Sequence, residues 1–441
     1  MIVFTHTITP RLQYIFDFIK KEISTETIQL TVDPEKFKNY SGPKINYSHE
    51  KTGVDQFWIK PHQLLFEKEI REQIVNCFVT NNHKAFFKTG GDFEFDIFAA
   101  CFYLLTRYEE YLPHKKDMYG RYAHENSLAY HENFLHLPLI NLWLGEFKKE
   151  LHKKFSNFKI DPTSGKTILR FIPTYDVDIA FSYKHKGWMR TAGGLFNTLI
   201  HGQLAKTRER LKVVFGTGKD PFDSFSWMDE LNNRNDLHPI YFFNVASKVG
   251  SYDKNISPTK KHMQGLIRHH AKHYEIGIHP SWQSGDEPAL IKKEIQTLEN
   301  ISGKKITTSR QHYIWFTMPG TFRQLIDAGI QYDFSMGYGS INGFRASVAS
   351  SFYWYDLEKE EQSNLLLFPF CFMEANSFFE QKFTPQQALE ELRHYYSIIK
   401  SVNGLLITIW HNTFLGADQL YAGWREVYEG WISEVIMNYE L

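Results

Sequence analysis

The sequence predicts an α/β protein built on parallel strands, and three observations carry that expectation. Seven short apolar runs recur from residue 167 onward: TILRFIPTYDVD, HPIYFFNVA, YEIGIHPSW, KITTSRQHYIWF, IQYDFSMGY, NLLLFPFCFME and GLLITIWHN. Helical or loop segments separate them, the rhythm of alternating β and α units. Amphipathic stretches fill several of the gaps: SPTKKHMQGLIRHHAKH, PALIKKEIQTLENI, PGTFRQLIDAG and TPQQALEELRHYYSIIKSVN, the last two stopped by Gly329 and Gly404.

A chain of 441 residues exceeds what one ordinary core supports, about 250 to 300 residues, so two domains are expected. The first third mixes a helical pattern (RLQYIFDFIKKEI), a polar middle (DPEKFKNYSGPKINYSHEKTG) and the aromatic GGDFEFDIFAACFYLLTRYEEYLPH. In the last of these, Phe98, Phe102 and Leu105 share one helical face, which reads as a buried helix. The polar DPTSGK at 161–166 marks the boundary, giving a smaller α+β domain over 1–162 and a larger unit over 163–441. The link over roughly 181–236 is long for a compact domain and reads as a lid, a binding loop or an insertion with helices of its own.

The 50 basic side chains balance the 50 acidic ones, which excludes the basic footprint of a nucleic-acid binder or a polybasic anchor and leaves a neutral or small partner. No apolar run approaches the ~18 residues needed to span a bilayer. The N-terminus lacks the charged region, long apolar core and cleavage site of a secretory signal. Cys77, Cys101 and Cys371 lie in apolar or aromatic surroundings without CxxC spacing, so buried reduced thiols and a cytoplasmic location are expected. Aromatics at 16% serve either rich cores or platforms for sugar rings.

In parallel α/β units the site forms where the C-terminal ends of the strands meet. Polar groups that close apolar runs therefore converge: Asp176 and Asp178, His279, Arg310 and His312, and further along Asp333, Arg345, Glu374 and His411. That set has the chemistry of a metal-dependent hydrolase, with carboxylate and imidazole ligands, a second carboxylate as base, a guanidinium to orient it and a distant imidazole as acid.

The motifs TYDVD (174–178), GIHPSW (277–282), SRQHY (309–313), YDFS (332–335) and TIWHN (408–412) occur in an order that resembles the NodB-homology polysaccharide deacetylases, the family 4 carbohydrate esterases. The resemblance covers roughly 167–415 and implies a distorted (β/α)7-type barrel of the glycoside hydrolase and deacetylase kind. It implies removal of acetyl groups from N- or O-acetylated sugars with a divalent metal, usually zinc. By position, Asp176 matches the base, Asp178 and His279 metal ligands, Arg310 the arginine that orients the base, and His411 the acid. The family's HxxxH pattern is broken, because Gln283 stands four residues after His279. Either His312 supplies the third ligand, or Gln283 or Ser284 coordinates, or the site has lost its metal. Trp282, Trp315, Trp354 and Trp410 are candidate sugar-facing walls, with Arg345, Glu374 and Asp333 as further candidate substrate contacts. An inactive carbohydrate-binding relative, and a glycosidase using Asp176 with Glu374 or Asp333, are the alternatives.

Other patterns read more plainly. His269, His270 and His273 precede the third strand, away from the site, and read as a solvated helix end. VFGTGKD lacks the spacing of a phosphate loop. Lys184, Lys186 and Arg190 read as solvating a loop.

Overall fold

The computed structural model describes residues 1–23, 27–156 and 170–437. The expected domain boundary near residue 162 lies outside the described residues. In the first part β1 (Ile2–Phe4), β2 (Gln29–Thr31), β3 (Lys44–Tyr47) and β4 (Phe57–Ile59) form a parallel sheet in the order β2-β1-β3-β4. A separate antiparallel pair joins β5 (Phe78–Thr80) to β6 (His83–Ala85). The helix Ile97–Leu105 is apolar on every face, IFAACFYLL, and all of it is buried, as such a sequence requires. Asp96 caps it by accepting from the Phe98 and Ala99 N–H groups.

The second part holds β7 (Arg170–Val177), β8 (Ile240–Phe243), β9 (Glu275–Ile278), β10 (Thr308–Ser309), β11 (Tyr332–Asp333), β12 (Phe352–Asp356), β13 (Glu361–Leu367), β14 (Phe372–Met373) and β15 (Leu405–His411). They make one sheet in the order β12-β13-β11-β10-β9-β8-β7-β15-β14, parallel throughout except for the β12–β13 pair. The ladder is open, so the barrel expected from the sequence does not close by hydrogen bonds among the described residues. It nevertheless curls. Between β13 and β14 the order places seven strand spacings, about 34 Å if flat, yet the chain from Leu367 to Phe372 reaches only about 18 Å. The run NLLLFPFCFME thus supplies two strands instead of one, separated at Pro369, which has no N–H to give a ladder.

The long link carries three helices, Trp188–Ile200, Leu204–Val214 and Phe225–Arg234. The expected helix near 384–403 runs Pro385–Ser401, with Thr384 and Gln387 forming a capping box. A single apolar cluster runs through both parts of the chain. Buried polar contacts tie them together as well: Arg345 donates to both oxygens of Glu110 at 2.8 and 2.6 Å, Tyr14 Oη donates to the Tyr353 carbonyl at 2.8 Å, and Asn141 Nδ2 donates to Ser350 Oγ at 3.0 Å.

Candidate active site

Parallel pairing brings the strand ends to one level. His411 stands in register with Asp176 across β15 and β7, and Ile278 with Ser309 across β9 and β10, which sets His279 beside Arg310. One ligand atom each from Asp178, His279 and His312 lies within 4.8 Å of the others.

Each imidazole is held by its far nitrogen. His279 Nδ1 lies 2.6 Å from the Arg310 carbonyl, which can only accept, so Nδ1 carries the proton and Nε2 is left facing Asp178 Oδ1 at 3.0 Å. His312 Nδ1 donates to Asp253 Oδ1 at 3.1 Å, and its Nε2 lies 3.5 Å from Asp178 Oδ2. His411 Nδ1 donates to Glu374 Oε1 at 2.7 Å, with Nε2 also 3.5 Å from Asp178 Oδ2. Oriented imidazoles backed by a carbonyl or carboxylate are the second layer that metal-binding histidines require.

The donor set fits a divalent cation. With Nδ1 of His279 committed as a donor, the neutral ring turns a lone pair toward a carboxylate oxygen that also carries lone pairs. That pairing needs a proton or a cation between the two. Burial alone would raise the Asp178 carboxyl, but His312, joined by His279 when a proton sits between that ring and the carboxylate, holds it well below the ordinary carboxylate range. Burial would likewise lower His312, and the Asp178 and Asp253 carboxylates override it, raising the imidazolium to about 9. Two nitrogens and a carboxylate oxygen in a buried pocket match the donors zinc accepts at catalytic sites.

Asp176 stands beside this group, its Oδ2 3.9 Å from His279 Nε2. Arg310 Nη1 donates to its Oδ1 at 2.8 Å. The guanidinium is fully buried, held by the Phe334 carbonyl at 3.1 Å and by the Phe242 ring 4.4 Å away. On the other flank, burial would lower His411, but Glu374 overrides it and raises the imidazolium to about 10. A cavity of about 340 Å³ opens over Asp176, Asp178, His279 and His411, walled by Tyr119, Tyr313, Phe379, Phe414 and Tyr421.

Several residues predicted as substrate contacts are placed elsewhere. Trp410 is fully buried, its ring 4.5 Å from that of Tyr428, because alternation along β15 turns it away from the face that shows His411. Asp333 is buried and accepts from the hydroxyls of Ser309 at 2.7 Å and Ser335 at 3.0 Å. Arg345 is committed to Glu110, and Glu374 to His411. Trp282 is half-buried and stacks on Tyr252 at 4.1 Å, one layer out from the cavity wall. Trp354, buried at 2% exposure, and Trp315 are likewise not among the lining residues. Gln283 reaches the Lys248 carbonyl and Asp253, and Ser284 Oγ donates to the Ser281 carbonyl at 2.6 Å, so neither joins the ligand group.

Other expectations are corrected. His270 is buried against Tyr241 instead of solvated, while His269 contacts Asp229 at 2.7 Å. Cys77 is only half-buried. Asp253, in the polar loop after β8, carries no motif and was invisible in the sequence. Tyr119 and Arg121, from the first part of the chain, also line the cavity without any sequence signal.

Residues 1–156 match the model of a family of unknown function, DUF7033. No curated protein matches the sequence. Among solved structures the chain is similar to a candidate polysaccharide deacetylase from Mycobacterium smegmatis, at 14% identity and TM-score 0.39, covering 61% of this chain and 84% of that one. It is also similar to a probable polysaccharide deacetylase from Pseudomonas aeruginosa PAO1, at 12% identity and TM-score 0.39, covering 63% and 88%. A third similarity is to a GH57 branching enzyme from Thermococcus kodakaraensis, at 10% identity and TM-score 0.37, covering 61% and 68%. At these levels the site's own residues have to carry the functional argument.

Proposed function

We propose that this protein is a metal-dependent hydrolase that removes acetyl groups from an N- or O-acetylated sugar, with zinc as the metal. The observation that carries the reading is the grouping of Asp178, His279 and His312 between two oriented pairs, Asp176 with Arg310 and His411 with Glu374. Asp178, His279 and His312 hold the cation, which when bound supplies Lewis acidity toward an acyl oxygen and toward water. Asp176 accepts the proton of the attacking water, and Arg310 keeps its carboxylate turned to the site. His411, charged at neutral pH, donates its Nε2 proton to the departing amine or alcohol, and Glu374 keeps that ring in place. Tyr119, Tyr313 and Tyr421 offer apolar faces with hydroxyl edges, a wall suited to a sugar ring.

The two-carboxylate alternative is disfavoured by placement, since Asp176 lines the cavity whereas Glu374 and Asp333 do not and are bonded inside the protein. The deciding experiment is acetate release by the zinc-loaded protein from N-acetylated oligosaccharides and from O-acetylated sugars. Release that stops in Asp176→Asn is the expected result. Sugar binding without acetate release from either class would favour the inactive carbohydrate-binding reading.

A further inference from the structure

We propose that the helical hairpin between β7 and β8 docks this protein on the surface of an anionic lipid bilayer, an inference that does not depend on the chemistry of the site. The helix Trp188–Ile200 packs the wrong way round for a soluble helix. Its small and polar side meets the second helix: Thr198 is buried and accepts from the Thr207 hydroxyl at 2.9 Å, and Gly194 lets Arg210 approach so closely that an added Cβ would fall 1.7 Å from its guanidinium. The large apolar side chains point outward. Trp188, Met189, Ala192, Phe196, Leu199 and Ile200 fall on one helical face, and all are exposed.

The second helix, Leu204–Val214, likewise exposes Leu204, Leu211 and Phe215 on one side, with Arg208 and Lys212 spaced among them. Trp188, Met189, Phe196 and Phe215 are between 67% and 79% exposed, and no described element covers them. Isolated exposed apolar residues are ordinary, but six on one face of a single helix mark an interaction surface.

Charge chooses the occupant. The whole chain is balanced, yet residues 184–219 hold eight lysines and arginines against one acid, Glu209, a local net charge of +7. Lys206, Arg208, Lys212 and Lys219 are exposed, and Arg208 and Lys212 share the helical side of Leu204 and Leu211. A second copy would set two such surfaces against each other at a repulsive cost, whereas anionic headgroups complement them. Outward Trp, Phe, Leu and Ile with interspersed Lys and Arg are what a helix lying in a membrane interface presents. No described helix is long and apolar enough to cross a bilayer, so the hairpin lies on it.

The test is co-sedimentation of the full-length protein with phosphatidylcholine vesicles, with and without phosphatidylglycerol, at low and high salt. Trp188→Ser/Met189→Ser/Phe196→Ser and Arg208→Glu/Lys212→Glu are run beside it, with circular dichroism to check folding and light scattering to read mass. The expected result is binding to phosphatidylglycerol vesicles that weakens with salt and falls about tenfold or more in each folded variant. Equal binding by the variants, or no vesicle binding at all, overturns the proposal. A dimer that the apolar variant dissolves, without vesicle binding, also overturns it and assigns the face to a second copy.

Discussion

Asp253 Oδ1 lies 3.1 Å from His312 Nδ1 and accepts a hydrogen bond from it, so an acid from a polar loop sets the direction in which a candidate ligand presents its other nitrogen. Asn244 Nδ2 donates to the same oxygen at 3.1 Å, and the Trp282 N–H at 3.0 Å. The carboxylate is therefore itself held in place.

Asp253→Asn should weaken zinc binding by about 10- to 100-fold, the usual effect of losing a ligand's supporting partner. Chelator competition measures it. An affinity equal to wild type would mean that His312 is oriented by something else or does not bind the metal.

Asp176→Asn should retain the metal and lower kcat by about 10²- to 10⁴-fold, because it removes a base and leaves the three candidate ligands intact. Steady-state kinetics on metal-quantified protein gives both readouts. Activity within a few-fold of wild type would take Asp176 out of the reaction.

His411→Ala should depend on the leaving group. Release of a sugar amine needs a proton from an acid, and release of 4-nitrophenolate does not. The variant should lose about 10²- to 10⁴-fold on the N-acetyl sugar and far less on 4-nitrophenyl acetate. Equal losses on both substrates would point to a role for His411 in the metal site.

Glu110 predicts an acid-sensitive contact between the two parts of the chain. Burial would raise its carboxyl, but Arg345 and Arg107 override this and lower it to about 2. A depressed carboxyl contributes stability that is fully present above its unfolded value near 4.5 and is lost as pH falls from there toward 2. Denaturation midpoints should drop through that window, and the drop should shrink in Glu110→Gln. At neutral pH the variant should be less stable by about 3–5 kcal/mol, since two arginines keep their burial and lose a partner. An unchanged pH profile would contradict this.

Much of the strand framework was legible because an apolar run that ends on a charge is costly unless the charge has a task. Asp176, Asp178, His279, Arg310 and His411 all close such runs, and the structure brings them together. Trp410 and Asp333 looked equivalent from their positions. Which side of a strand faces the mouth, and whether two serines stand ready to satisfy an acid, are tertiary facts. Asp253 and Tyr119 come from loops without periodicity or motif. β12 went unread although its FYWYD carries the aromatic residues that favour strands. The basic character of the link is legible in the sequence, but the outward turn of Trp188, Met189 and Phe196 beside it is a tertiary fact.

The most direct test of the central claim is elemental analysis of the untagged protein after incubation with zinc and removal of excess, beside an Asp178→Ala/His279→Ala variant. About one zinc per chain, lost in the folded variant, is the predicted result. Absence of zinc from the wild type, or equal zinc in the variant, would contradict a metal centre at Asp178, His279 and His312.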